Sequence, residues 1–140
     1  MKKLILLLFM FTSLAAQSQV SDKWKLCINK KRIGAGTHDK PGSVVISPSA
    51  KGVFIIRYSG TGNNDKKRSM IIFDSERHEL IRKDIAHNFG KFTISMEVLK
   101  SKTNGKSFQI YTVAIPKNPE EAALVRMAPM LLCDVAWGGK

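Results

Sequence analysis

Acidic side chains are scarce in this chain. Aspartate and glutamate total 11 against 23 lysines and arginines, a formal net charge of +12, which directs expectation toward anionic partners. Cysteine is scarcer, with two in 140 residues, and so few exclude a fold stapled by several disulfides. The three histidines, His38, His78 and His87, fall in separate turn regions without repeated ligand spacing, and no metal site is expected from them. A blue-copper centre would need two histidines, a cysteine and a weak axial methionine. Cys133 is followed by DVAWGGK, which supplies neither a histidine nor a methionine.

Motifs of catalysis are missing too. The chain has no G-x-S-x-G elbow, no H-E-x-x-H and no phosphate-binding glycine loop. SGTGNND contains a G-x-G, but no helix follows to aim amides at a phosphate. Glu76, Glu79, Asp84 and Glu97 are the carboxylates from which a glycosidase pair would come, and nothing in the sequence around them marks out a general acid. The expectation is a non-enzymatic protein without a cofactor. A small secreted enzyme whose site assembles only in the fold is the alternative, through His78 or His87 against a carboxylate and a serine.

No apolar run approaches the roughly 20 residues that span a bilayer. The longest, Leu4 to Phe11, follows Lys2 and Lys3 and gives way to small and polar residues up to Ser18. That order reads as a secretory signal peptide over 1–18, with the mature chain starting between Gln17 and Val20 and a single domain over 19–140. The expected location is therefore exported, periplasmic or secreted. Losing Lys2 and Lys3 but no acid leaves a net charge of about +10.

What the remaining sequence has in abundance is a period of two. In VFIIRYS, Phe54, Ile56 and Tyr58 alternate with Val53, Ile55 and Arg57, and SFQIYTVAI repeats the pattern with β-branched and aromatic residues. Strands are predicted over 23–30, 43–47, 53–59, 69–74, 79–85, 91–96, 107–115 and 125–137, separated by turn signals of which Asn104-Gly105 is the sharpest. About eight short strands at this spacing predict an all-β antiparallel sandwich or small barrel. KNPEEAAL carries the capping residues of a one- or two-turn helix, and SMEVLKSK reads equally as a helical turn or a continued strand. The glycines of RIGAGTH are read as permitting a bend or bulge after the first strand.

The alternation also separates the two cysteines. Cys133 shares a face with Leu131, Val135 and Trp137, whereas Cys27 shares the polar face of Lys23 and Lys25. Two unbonded thiols are expected, with Cys133 in the core.

Binding is then the class left open, and KKR occurs twice. Lys30, Lys31 and Arg32, with Lys66, Lys67 and Arg68, are the candidate polyanion contacts, since several phosphates, sulfates or carboxylates are neutralised together only by clustered cations. The competing account is that such lysines solvate a β-protein and guard its edges. The expected partners are a polyanionic glycan, lipopolysaccharide or an acidic protein. Nucleic acid is disfavoured, because Phe54, Tyr58, Phe73, Phe92, Phe108 and Tyr111 alternate with apolar neighbours as core rather than as stacking platforms.

Overall fold

The computed structural model describes residues 22–37, 39–60, 66–124 and 128–138. The expected signal peptide and its cleavage point, and His38, lie outside the described residues.

Nine strands and two short helices occur among the described residues: β1 (Lys23–Ile28), β2 (Lys31–Thr37), β3 (Gly42–Ile46), β4 (Val53–Ser59), β5 (Lys66–Asp74), β6 (Glu79–Ile85), β7 (Phe89–Ser95), α1 (Met96–Thr103), β8 (Phe108–Pro116), α2 (Pro119–Leu124) and β9 (Met130–Trp137). The strands form a four-stranded sheet ordered β2-β1-β4-β7 and a five-stranded sheet ordered β3-β9-β8-β5-β6. This is the all-β sandwich that the alternation predicts, with one departure: β3 runs parallel to β9, so the larger sheet is mixed.

The inward residues are those the period of two selects, except in β9, where a register shift beside Ile110 and Tyr111 turns Leu132 inward next to Cys133 and leaves Leu131, expected on the Cys133 face, on the outer side. Trp24 and Leu26 of β1 face Phe54, Ile56 and Tyr58 on neighbouring β4, and Met70, Ile72, Phe108, Ile110 and Val135 close the core from the other sheet. Side chains of this size each stabilise by about 1.5–3 kcal/mol when fully buried, so the interior can sustain the fold without cross-links. The two cysteines are unbonded. Cys133 is buried in that core, while Cys27 is half-buried on the outward side of the opposite sheet.

Residues 32–37 of RIGAGTH lie in the edge strand β2 rather than in a bend. Gly34 and Gly36 of β2 point inward, and Gly42 of β3 lies nearby; a Cβ at Gly36 or Gly42 would come within 2.5 Å of the Trp24 indole. The glycines therefore make room for a large ring that is 1 % exposed and whose Nε1 donates to the Thr37 carbonyl at 3.3 Å. A bulge does occur here, as a register shift between Leu26 and Cys27.

SMEVLKSK resolves as helix. The Ser95 hydroxyl accepts from the Val98 amide at 3.1 Å, the N-cap arrangement, and Met96, Leu99 and Thr103 turn to the core. Asn104 and Gly105 end α1 with φ of 53° and 67°, the left-handed cap that this dipeptide suits. In α2 the Asn118 side chain accepts from the Glu120 amide at 3.0 Å, capping a helix that opens on Pro119.

Candidate functional site: a cationic sheet face

The two basic triplets do not come together. The β1–β2 turn carries Lys30 at the end of the sandwich where Ile28 pairs with Phe54 and Val53 with Ser95. The second triplet begins β5 at the opposite end, where Lys23 pairs with Ser59 and Ser59 with Phe89. Lys30, Lys31, Arg32, Lys66 and Lys67 are all exposed.

Arg68 is different, being 5 % exposed. Its Nε and Nη2 donate to Asn88 Oδ1 at 3.1 and 2.7 Å, Nη1 donates to Thr112 Oγ1 at 3.1 Å, and Nη2 lies 3.6 Å from Asp22 Oδ2. The guanidinium also covers the Tyr58 ring. Burial and the Asp22 carboxylate, which accepts from the Tyr58 hydroxyl, push that phenol far above its ordinary range. Arg68 is thus an interior anchor joining both sheets and the β6–β7 turn, not a surface contact for a polyanion.

The concentration of charge lies where no sequence run announces it. Register places Lys25 of β1 opposite Arg57 of β4, and Arg57 opposite Lys91 of β7. All three point away from the core, since their strand neighbours Trp24, Leu26, Ile56, Tyr58 and Phe92 point into it. Lys23 and Arg32 occupy the same outward face. The remaining outward positions are Cys27, Ala35, Thr37, Val53, Ile55, Ser59, Phe89, Thr93 and Ser95. Five cations and no acid therefore share one sheet surface, and none of the five is ion-paired among the described residues. The outer face of the five-stranded sheet, by contrast, carries Asp134, Glu79 and Asp84. Phe89, 58 % exposed, sits at the rim of the cationic face with its ring stacked on His87 at 5.5 Å.

Reasoning from the sequence missed this row because its members are far apart in the chain. The signal was the alternation itself: Lys23 and Lys25 flank Trp24, Arg57 follows Ile56, and Lys91 precedes Phe92, so each is an outward position of a core strand.

His78 Nδ1 lies 3.0 Å from Asp74 Oδ2, but the pair is exposed in the β5–β6 turn and no hydroxyl nucleophile is bonded to it among the described residues. Asp74 is held below the ordinary carboxylate range, first by the His78 backbone N–H and also by the His78 ring and the Glu76 amide. Such a carboxylate is stabilised as a turn anchor rather than poised as a base. Ser69 donates to Asp84 but is fully buried. No group of three or more metal-ligating side chains is assembled among the described residues.

No protein-family model, curated protein or solved structure matches the chain.

Proposed function

We propose that the chain is an exported, non-enzymatic β-sandwich module that binds polyanions carried on sugar chains, such as acidic glycans or lipopolysaccharide, through the outer face of its four-stranded sheet. The observation that carries this reading is the acid-free row Lys25, Arg57 and Lys91, flanked by Lys23 and Arg32. Edge protection does not account for it, because Lys25 and Arg57 lie on β1 and β4, the two interior strands of the sheet. Like charges placed directly opposite on neighbouring strands are unfavourable, and an anionic chain crossing the strands would relieve that repulsion. A face four strands wide suits an extended polymer better than a small molecule. Exposed Phe89 at its rim adds an apolar ring against which a sugar face can pack, which favours a glycan over an acidic protein.

Retention on immobilised heparin and on lipopolysaccharide tests the reading. The triple variant K25E/R57E/K91E should elute at markedly lower salt than K30E/K66E/K67E, which makes the same change in net charge at positions off this face. Equal losses would reduce the effect to bulk charge.

A further inference from the structure

The opposite face of the sandwich carries a second feature that the cationic surface does not explain. A small apolar cluster of Ile71, Tyr111 and Val113 lies on the outer side of the five-stranded sheet. Beside it is a cavity of about 250 Å³ lined by Phe73, Arg77, Tyr111 and Pro129. Its floor is aromatic: Phe73 and Tyr111 meet edge to face with ring centroids 5.1 Å apart.

Arg77 is held over that floor by an ordered turn. Asp74 Oδ1 accepts from the Glu76 and His78 amides at 2.9 and 2.8 Å, and the Asp74 carbonyl accepts from the Arg77 amide at 3.1 Å. Arg77 itself has φ of 66°, a left-handed conformation uncommon for a residue with a side chain. The guanidinium carbon lies 5.9 Å from the Tyr111 ring centroid, and Nη2 donates to the Tyr111 hydroxyl across a long 3.4 Å. Among the described residues, that weak contact leaves most of its donors uncommitted.

The acids around this turn are directed elsewhere. Glu79 receives both forks of Arg82 at 2.8 and 2.9 Å, Asp74 is 3.0 Å from the His78 ring, and Glu76 is 3.6 Å from it. Among the described residues no carboxylate pairs with Arg77. An arginine aimed across an aromatic floor, beside three carboxylates that pair with other groups, has the fork geometry for a carboxylate supplied from outside.

We propose that this cavity binds a small aromatic carboxylate, its ring against Phe73 and Tyr111 and its carboxylate on the Arg77 fork. The volume falls below the roughly 300 to 1,000 Å³ of drug-sized sites, which confines the ligand to a single ring with a short acidic arm. Aromatic rings set edge to face favour a third ring over an aliphatic chain.

Phenylacetate and its uncharged analogue 2-phenylethanol are the probes, titrated against the full chain by ligand-observed NMR. Wild type should bind phenylacetate about tenfold more tightly than 2-phenylethanol, the size of one charge-assisted pair. Arg77→Asn keeps a residue that tolerates the left-handed turn and should bring the two probes to equal affinity. K25E/R57E/K91E should leave the preference intact, which separates this site from the cationic face. Failure of phenylacetate to bind saturably, or a preference that survives in Arg77→Asn, overturns the proposal.

Discussion

The guanidinium of Arg68 lies 4.2 Å from the centroid of the Tyr58 ring, and both side chains reach the carboxylate of Asp22. Tyr58 belongs to the smaller sheet and Arg68 to the larger, so the pair closes one end of the sandwich with a charge rather than with apolar packing. A buried cation is tolerated only when its donors are taken up, and Asn88, Thr112 and Asp22 take them up here. Arg68→Ala should therefore destabilise the fold by about 3 kcal/mol or more, since it strands those partners, whereas exposed Lys67→Ala should cost under about 0.5 kcal/mol. Urea unfolding at unchanged m-value compares them. An Arg68 variant no worse than Lys67→Ala would end its role as an anchor.

The glycines around Trp24 make a second prediction. A methyl group at Gly42 would sit 2.5 Å from Trp24 Cη2 and 2.7 Å from Cζ2, and at Gly36 it would sit 2.5 Å from Cζ2. The indole is rigid and buried, so it cannot swing clear. Gly36→Ala and Gly42→Ala should each cost about 1–3 kcal/mol through overpacking and shift the tryptophan emission of the native state. Emission and midpoint both unchanged would mean that the ring is not seated on these glycines.

Cys133 and Cys27 should differ in chemistry. Burial, with the Asp134 carboxylate adding to it, pushes the Cys133 thiol up to about 12. In native protein at about pH 8, Ellman's reagent should titrate Cys27 alone, with Cys133 appearing only on unfolding. The sign of the pH effect follows. Below the unfolded value of about 8.5 the thiol is protonated in both states and its contribution is complete. As pH rises toward the folded value the unfolded chain ionises first, and stability is lost. Cys133→Ala should flatten that alkaline decline; a slope identical to wild type would assign the decline to other groups.

The parts of this molecule legible in sequence are those governed by neighbours two apart. Phe54, Ile56 and Tyr58 announce β4, and Cys133 with Val135 announces a core strand. Strand β2 is less legible, because Gly34 and Gly36 leave blank the positions where apolar side chains would have marked its inward face. The segment from Ser95 is ambiguous for a different reason: its helix rests on one capping hydroxyl and on a single apolar pair three apart, Met96 and Leu99, too short a pattern to outweigh the strand alternation that runs into it. The candidate site was missed through the same period that revealed the fold. Adjacent residues in a strand point to opposite faces, so the triplet Lys66, Lys67 and Arg68 cannot act as a unit, and Arg68 turns inward while Lys67 turns out. A cationic face on a sheet is built from residues in register on different strands, and register is not written in any one of them.

Arg57 should consequently be costly to the fold and useful to binding at the same time. It stands directly opposite Lys25 on one side and Lys91 on the other, at Cβ separations of about 4.5–5.5 Å for paired positions. No described acid on that face offsets the repulsion. Arg57→Thr introduces a good strand former without charge, and should stabilise the protein by about 0.5–1 kcal/mol at low ionic strength. The gain should shrink as salt screens the row. The same substitution should lower the salt needed to elute the protein from heparin. A residue present merely to wet the sheet would give neither effect together with the other, so a variant that is less stable at low salt, or more stable with retention unchanged, would remove the cationic row as a binding surface.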